Sequence, residues 1–444
     1  MTSVRPWAPG GGPKARPHAA RDPAAALNQA VREADLRHGL AGPLGRSGRS
    51  GVPQIVLRLG EPLLGVPPGH RAARWPRCSG RDGNAHRVGY RRPVTSRGAP
   101  PTSWPPVSVV VPVLNEERHL EAAVTNVLEQ EYPGSLDVVL AVGPSRDRTA
   151  EVAARLARRD ARVHVVDNPT GRTPAGLNAA IKASTGDIVV RVDAHSELST
   201  GYVRRAVELL EQTGADNVGG LMLAQGRTPF EKAVARAMGS RLGIGGARFH
   251  VGGEEGEAET VYLGVFRRTT LDRLGGFDEH FHRAQDWELN HRIRLGGGTI
   301  WFSPELWVTY RPRSSWKALA LQFFRTGRWR RQVTRRYPET ASLRYLAPPV
   351  AVVGITLGTA AGVVGTVTGP SWLRLGFVAP GAYVVGVAAG SQLIAPDADR
   401  RERAWLPLVV ATMHLTWGAG FLTPLRRLGR HSPAVRRFKA RVRA

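Results

Sequence analysis

The sequence predicts an α/β protein in which a mostly parallel sheet is followed by transmembrane or interfacial helices. Three observations predict this fold class. Short, continuously apolar runs alternate with amphipathic helix patterns from Val107 onward, an Asp-x-His pair follows one of these runs, and three long uncharged segments lie between residues 347 and 425. Strands that are apolar on both faces are typical of a sheet covered by helices on both sides.

The individual elements follow from local patterns. Strands are predicted at short apolar runs and helices where apolar residues recur with a period of 3.6, in one case with Pro174 in the first turn. The predicted strands are 108–114, 136–142, 162–166 and 187–192, and the predicted helices are 116–129, 149–159 and 174–183. Ligands of such sheets bind at the carboxyl ends of strands, where Asn115, Glu116 and residues 193–195 lie.

Asp193 and His195 form a candidate metal site. An aspartate and an imidazole two residues apart at a strand end can turn toward one divalent cation, and such a cation commonly holds a diphosphate. In a second interpretation of this pair, Asp193 caps the following helix and His195 is solvated.

The net charge of +26 is unevenly distributed. Residues 1–105 hold 17 Lys and Arg against 5 Asp and Glu, residues 426–444 hold 8 basic and no acidic residues, and residues 311–345 hold 10 against one. The remaining chain is close to neutral, so no specific nucleic-acid partner is expected, although the basic arms can hold polyanions nonspecifically. The single cysteine, Cys78, excludes an intrachain disulfide and a cysteine-built zinc site.

Composition also predicts the domain organisation. Residues 1–105 are rich in Pro, Gly and Arg without period, which predicts a basic, disordered N-terminal region. The segments predicted after it are an α/β domain at 106–310, a basic interfacial region at 311–345, a membrane region at 346–425 and a basic cytoplasmic tail at 426–444.

The ordered motifs of residues 107–329 resemble those of the family 2 glycosyltransferases, inverting enzymes with the GT-A fold, a Rossmann-like, mostly parallel sheet that binds nucleotide sugars. The matching segments are 109–116, 145–149, 174–178, 193–195, 275–278 and 285–289. Residues 191–195, together with a membrane-embedded C terminus, are most similar to the subgroup that builds exopolysaccharides of the succinoglycan type.

The resemblance implies a set of functional residues. The nucleotide-sugar site implied by it consists of Pro112, Asn115, Glu116, Asp147, Asn178, Arg191 and Asp193. Asp193, with His195 as a second ligand, would hold a divalent cation, Mn²⁺ or Mg²⁺, that neutralises charge on the departing nucleoside diphosphate. Asp286 would take the proton from the acceptor hydroxyl as its oxygen attacks the anomeric carbon, so that one displacement inverts the sugar.

The chain departs from the family pattern at several of these positions. Val142 and Gly143 stand where the family usually has acidic residues, one of which contacts the base, so the base stays open. His195 replaces an aspartate, which shifts the metal preference from Mg²⁺ toward softer ions, and Gln285 replaces a glutamate.

Two residues after the proposed base allow two interpretations each. Trp287 is either a flat surface for a sugar ring or a core aromatic. Glu288 belongs either to the acceptor side or, with Asp286, to a solvated set of helix charges that pairs with Arg292 and Arg294.

A later segment resembles in part the Gln-x-x-Arg-Trp box of polymerising members, with the tryptophan three residues late. The residues in question are Gln322, Arg325, Arg328 and Trp329. One interpretation is an interfacial helix, because residues 316–336 mix Trp, Phe and Leu with many arginines. In the other, Arg325 or Arg328 clamps the diphosphate.

The apolar runs 347–369, 375–395 and 404–425 each reach the ~20 residues that a bilayer-crossing helix needs. The basic block at 311–344 indicates that the catalytic domain is cytoplasmic, since basic residues mark that side of the membrane. A third crossing of the membrane would place the basic tail, residues 426–444, on the side opposite the cytoplasm, against this rule. Residues 404–425 are therefore expected to form a re-entrant or interfacial hairpin as often as a span.

Two functional hypotheses follow. The first is a multi-pass cell-membrane glycosyltransferase that moves a sugar from a nucleotide donor to a saccharide or lipid-linked acceptor, in exopolysaccharide or cell-envelope glycan synthesis. The resemblance favours UDP-sugars, which the family commonly uses. The alternative is a non-catalytic membrane scaffold on a degenerate transferase fold, whose basic arms bind polyanions.

Overall fold

The computed structural model describes residues 103–423 and 433–443, all of which belong to one compact unit, Val88–Ala444. The region predicted to be disordered at the N terminus lies outside the described residues except for its last three positions. Residues 424–432, where the predicted cytoplasmic tail begins, also lie outside them.

A nine-stranded mixed sheet forms the centre of the fold, in the order β3-β2-β1-β4-β8-β6-β9-β5, with β7 paired to β9. The strands are β1 (Val107–Val113), β2 (Leu136–Val142), β3 (Val163–Asp167), β4 (Ile188–Arg191), β5 (Glu197–Leu198), β6 (Asn217–Ala224), β7 (Gly256–Glu257), β8 (Tyr262–Arg267) and β9 (Ile300–Tyr310). Strands β1 to β4 run parallel, as predicted. Strand β8 is antiparallel to both β4 and β6, so the second half of the sheet is mixed.

Helices cover both faces of this sheet. Those of the α/β domain are α1 (Leu120–Leu128), α2 (Thr149–Arg159), α3 (Thr173–Ala183), α4 (Tyr202–Thr213), α5 (Pro229–Met238), α6 (Arg241–Ile244), α7 (Arg248–Val251), α8 (Arg268–Leu274) and α9 (Gln285–Leu295). The predicted helix 116–129 begins four residues late, because Asn115 has a φ of 56° and the turn after it is closed by bonds from His119 and Leu120 to the Glu116 carbonyl.

The core around the sheet has two layers, one on each face of the sheet. Val109 and Val111 of β1 pack into the first layer with α1, α2 and α4, while Val110 packs into the second with α3, α8 and α9. This alternation follows from the two-residue period of a strand. It confirms the prediction of a sheet that is apolar on both faces.

The C-terminal part of the chain is helical. Its helices are α10 (Trp316–Arg336), α11 (Leu343–Thr368), α12 (Val378–Leu393), α13 (Arg400–Leu422) and α14 (Pro433–Arg443). Among the described residues, three segments are long and apolar enough to cross a membrane: Leu343–Thr368, Ser371–Leu393 and Arg400–Leu422. The first two are 11% and 6% buried against the rest of the protein, whereas the third is 39% buried. Helices α11 and α12 therefore expose apolar surface, and α13 packs on protein.

Helix α13 is connected to the rest of the protein at both ends. Near its start, Arg236 of α5 forms ion pairs with Glu402 and, at 2.8 Å, with Asp397. Near its end, Arg331 of α10 donates to the Leu422 carbonyl at 2.6 Å. Further along the chain, Phe438 of α14 is buried in the second core layer of the α/β domain. The chain thus returns to the α/β domain after α13.

Candidate active site

Loops that follow β1 and β2 are joined by hydrogen bonds at one edge of the sheet. Asn115 accepts a bond from the Arg146 amide at 2.8 Å, and its own amide donates to the Ser145 hydroxyl at 3.0 Å. Asp147 accepts from the Glu117 amide at 3.3 Å, and the Thr149 hydroxyl lowers the pKa of Asp147 by donating to it. Asn115 and Asp147, both predicted to bind the nucleotide, therefore hold the loops after β1 and β2 together.

Arg191, the last residue of β4, connects two candidate functional carboxylates. One guanidinium nitrogen donates to Asp193 at 2.8 Å and the other donates to Asp286. The Arg191 side chain is 5% exposed, whereas those of Asp193 and Asp286 are 21% and 31% exposed. Two carboxylates that are 93 residues apart in the chain thus contact the same guanidinium group. Both remain accessible to a ligand.

The loop before α9 holds an unusual backbone conformation. Ala284 has a φ of 60°, which is uncommon for a residue with a Cβ. Asp286 follows two residues later, in the first turn of α9. The bend at Ala284 therefore directs the start of α9, with Asp286, toward the end of β4.

His195 is oriented by Glu116. Its Nδ1 lies 2.8 Å from Glu116 Oε1, and because a carboxylate only accepts, Nδ1 carries the proton. This hydrogen bond raises the pKa of His195. Metal-binding histidines commonly donate their second ring nitrogen to a carboxylate in this way. Glu116, which the sequence predicted to contact the nucleotide, positions the imidazole in this structure.

Asp193 and His195 fit a divalent cation. Neither Asp193 Oδ2 nor His195 Nε2 forms a hydrogen bond with any described residue. No group of three or more His, Cys, Asp or Glu side chains that could hold a metal occurs in the described part of the chain. Two protein ligands are enough for a cation that shares a substrate diphosphate and water, and an imidazole suits Mn²⁺ better than Mg²⁺.

Trp287 and Glu288 are buried, which supports the core interpretation of Trp287 and fits neither interpretation of Glu288. Trp287 is 9% exposed and stacks on His291 with ring centroids 5.1 Å apart, so it is a core aromatic and offers no open face to a sugar. Glu288 is fully buried and pairs with the equally buried Arg292 at 2.8 Å. It is therefore neither solvated nor able to contact an acceptor. The physical reason is that α9 is covered by Tyr337, whose hydroxyl donates to Glu288 at 2.6 Å.

Asn178 is bonded to the loop before α9. Its amide exchanges hydrogen bonds with the backbone N–H and C=O of Phe277, at 2.8 and 2.9 Å, and donates to Glu279 at 3.0 Å. Pro112 is half-buried within β1. Both residues were expected to bind the nucleotide, and in this structure Asn178 holds the loop while Pro112 forms part of the strand.

The partial box on α10 divides into two groups. Gln322 bonds to the Tyr310 hydroxyl at 2.9 Å and accepts from Arg313, and Arg325 is exposed. Arg328 instead lies over the Phe324 ring, and Trp329 packs against Phe281. Trp329 also lies beside His282, with ring centroids 5.7 Å apart.

Sequence reasoning missed Arg283, which lies three residues before Asp286. Burial lowers the pKa of Arg283, and the charges of Arg325 and Arg313 lower it further. Arg313 also acts on His195, where it opposes the larger effect of Glu116. The charges of these three guanidinium groups therefore act on one another, and Arg313 is the one of them whose charge also acts on His195.

Comparisons with known proteins identify the class. The family model described as "Glycosyl transferase family 2" matches residues 108–275. Together with the relative described next, this match shows that the chain belongs to that family. The chain is similar to the succinoglycan biosynthesis protein ExoA of Rhizobium meliloti (strain 1021), with 33% identity over 316 residues that span 70% of this chain and 93% of ExoA.

Further similarities are more limited. The undecaprenyl-phosphate 4-deoxy-4-formamido-L-arabinose transferase of Pseudomonas aeruginosa (strain LESB58) is 36% identical over 119 residues, which are 26% of this chain and 35% of that protein. Among solved structures, the mannosyltransferase PcManGT from Pyrobaculum calidifontis, in complex with GDP-Man and Mn²⁺, is 20% identical with a TM-score of 0.47. That comparison covers 73% of this chain and 88% of PcManGT.

Proposed function

We propose that the protein is a membrane-anchored, inverting glycosyltransferase that moves a sugar from a nucleotide-diphosphate sugar to a saccharide or lipid-linked acceptor, in exopolysaccharide or cell-envelope glycan synthesis. The observation that carries the proposal is the convergence of Asp193 and Asp286 on Arg191, beside His195. In a member of family 2, this arrangement joins a candidate cation site to a candidate base at the carboxyl end of β4.

The donor would lie at the edge formed by the ends of β1, β2 and β4. Asp193 and His195 would hold Mn²⁺ or Mg²⁺, which supplies positive charge to the leaving diphosphate. The cluster of Arg283, Arg313 and Arg325 supports the same assignment, because three nearby guanidinium groups are stabilised by a bound anion. A UDP-sugar is the donor that we expect.

Asp286 would act as the base. Its carboxylate accepts the proton of the acceptor hydroxyl while that oxygen forms a bond to the anomeric carbon and the bond from this carbon to the diphosphate oxygen breaks. The attack from the opposite face inverts the configuration. Arg191 positions Asp286 and Asp193 together, so the base and the leaving group are held on one scaffold.

The protein would be a multi-pass protein of the cell membrane with a cytoplasmic catalytic domain. Helices α11 and α12 support this because their apolar surfaces are exposed. Helix α13 is connected to the α/β domain or to α10 at both ends, and α14 returns to that domain. The basic C-terminal helix would therefore lie on the same side of the membrane as the catalytic domain.

Nucleotide titration tests the donor site. The full chain in detergent would be titrated with UDP, GDP and their glucose and mannose forms, with and without Mn²⁺, beside Asp193→Ala and, as a matched control, Asp272→Ala at an exposed position of α8. We expect metal-dependent binding of one nucleotide that is lost only in Asp193→Ala. Absence of binding to every nucleotide would favour the non-catalytic scaffold.

Single-turnover transfer tests the base. Asp286→Asn should keep nucleotide binding and lose transfer by about 10²–10⁴-fold, the contribution of a positioned general base. The anomeric configuration of the product, read by NMR, tests inversion. Retained configuration, or transfer by Asp286→Asn at the wild-type rate, would contradict the mechanism.

A further inference from the structure

A small apolar cluster, separate from the two layers of the sheet core, borders the segment that carries Asp286. Half of its members belong to the loop before α9 and the start of α9, and half to α10 and the residue after it: Phe281, Ala284, Trp287, Trp329, Val333 and Tyr337. Asp286 lies two residues after Ala284 and directly before Trp287. The backbone that carries the proposed base is therefore packed against α10 on both sides of Asp286.

Tyr337 links the two halves of this cluster through a hydrogen bond. Its hydroxyl donates to Glu288 Oε1 at 2.6 Å, and its ring meets the His291 ring edge-on with centroids 4.6 Å apart. Tyr337 is 3% exposed, so the bond is shielded from water. Burial and the neighbouring Glu288 charge raise the pKa of Tyr337, so its hydroxyl keeps the proton that it donates.

Two further contacts hold the same helix. The Arg330 guanidinium carbon lies 5.0 Å from the centre of the Trp287 ring and 3.9 Å from that of the Tyr345 ring. Glu339 Oε1 lies 3.1 Å from His291 Nε2. Three positions of α9 are thus contacted by the stretch that runs from the last turns of α10 into the first turn of α11.

The proposed base and the proposed cation site therefore have different supports. Asp193 follows β4 of the sheet, whereas Asp286 stands on a helix whose first turns are held by α10. Helix α10 in turn packs on the apolar helix α13, where the Trp316 indole donates to the Thr412 hydroxyl at 2.7 Å. A change at the contact between α9 and α10 should thus move the base and leave the donor site in place.

We propose that Tyr337 is a positioning residue for Asp286: its hydrogen bond to Glu288 fixes the first turns of α9, so that the Asp286 carboxylate meets Arg191 and the acceptor hydroxyl. The inference rests on the proposed function, because it takes Asp286 as the base of the transfer reaction. It adds that helices outside the sheet set the geometry of that step. A displacement of about 1 Å at a reacting group can cost about 10²-fold in rate, so a single bond at this place is enough to change catalysis.

Tyr337→Phe tests this role because it removes one hydroxyl and leaves the ring in the cluster. Glu288 keeps its buried ion pair with Arg292 at 2.8 Å, so the variant has no uncompensated charge and should fold. Tyr132→Phe is the matched control: the Tyr132 hydroxyl donates to the Pro105 carbonyl at 2.5 Å, just before β1 and thus at the opposite end of the strands.

Amide hydrogen exchange of the full chain in detergent measures how firmly α9 is held. We expect exchange at residues 284–291 to be about tenfold faster in Tyr337→Phe than in the wild type, since a hydrogen bond to a buried charge is lost. Exchange of these residues should be unchanged in Tyr132→Phe. Equal protection in the wild type and Tyr337→Phe would overturn the inference.

Hydrolysis of the donor measures the effect on the chemistry without the natural acceptor. The probe is UDP-glucose or GDP-mannose, whichever binds in the titration, with Mn²⁺. Water takes the place of the acceptor hydroxyl: Asp286 accepts its proton while its oxygen attacks the anomeric carbon and the nucleoside diphosphate leaves. We expect Tyr337→Phe to slow this release by about tenfold with an unchanged Kd for the nucleotide. A wild-type rate, or a weakened Kd, would overturn the inference.

A double variant shows whether Tyr337 acts through Asp286. In Asp286→Asn, the further substitution Tyr337→Phe should have little additional effect on hydrolysis, because the group that Tyr337 positions has been removed. An additional loss of about tenfold would show that Tyr337 acts by another route, against the inference. If the wild type hydrolyses neither nucleotide sugar, the proposed function fails, while the exchange measurement still decides whether Tyr337 holds α9.

Discussion

Replacing Arg292 with methionine should strongly destabilise the α/β domain. Arg292 and Glu288 are both fully buried and form an ion pair at 2.8 Å. Arg292 also donates to the backbone carbonyls of Leu274 and Gly276, at 2.9 and 2.8 Å. The substitution removes all these donors and leaves the Glu288 carboxylate buried, with a hydrogen bond from the Tyr337 hydroxyl.

The expected cost is roughly 3–5 kcal/mol, because removing one partner of a buried ion pair leaves an uncompensated charge. A domain of this size loses about 2–4 °C of Tm for each kcal/mol, so we expect Tm to fall by roughly 6–20 °C. Replacing Glu288 and Arg292 together with methionine should recover more than half of this loss, since an apolar pair has no charge to compensate.

Thermal unfolding of the detergent-solubilised protein, followed by tryptophan fluorescence, measures these differences. Arg294→Met is the matched control, because Arg294 is an exposed residue of the same helix and its loss should cost no more than about 0.5 kcal/mol. If Arg292→Met unfolds within about 2 °C of Arg294→Met, the buried pair does not stabilise the fold as argued.

Three other predictions concern packing and topology. A Cβ at Gly327 would lie 1.9 Å from the Trp417 carbonyl, so Gly327→Ala should lower Tm by several degrees, while Gly354→Ala, in open space, should not. Asn178→Ala should speed amide hydrogen exchange in the loop before α9, and unchanged protection would contradict its holding role. A C-terminal tag should resist protease added to intact cells, and external cleavage would show that α13 crosses the membrane.

Sequence reasoning succeeded where the pattern is local. Strands β1 to β4 are short apolar runs separated by helix signals, and they lie within two residues of their predicted positions. The later strands were not predicted. In β6, Gly219 and Gly220 interrupt the apolar pattern at the centre of the strand. A Cβ at Gly220 would lie 1.6 Å from the Leu306 carbonyl. The close approach of the β9 backbone thus requires glycine in β6. Glycine in turn weakens the apolar pattern by which strands are recognised in a sequence.

The candidate site shows the same division between local and long-range information. The order of the motifs identified Asp193, His195 and Asp286 as candidate site residues. In the structure, Asp193 and Asp286 both pair with the guanidinium group of Arg191. The bond from His195 to Glu116 could not be predicted, since it depends on residues distant in the sequence. The burial of Trp287 was one of two open interpretations, and the sequence could not decide between them because burial depends on neighbouring helices. For Glu288, the i,i+4 spacing correctly indicated Arg292 as partner but carried no information about burial.

The attachment of α13 at both ends has a consequence for the acceptor. A domain joined to membrane helices by a single flexible link can tilt and change its distance from the bilayer, but here Arg236 of α5 and the burial of Phe438 join the α/β domain to the C-terminal helices at two further points. In the proposed membrane topology, the strand ends would then be held at one height above the lipid surface. The reactive hydroxyl of the proposed lipid-linked saccharide would have to reach that height, so a rigid attachment would favour acceptors with a particular number of sugars.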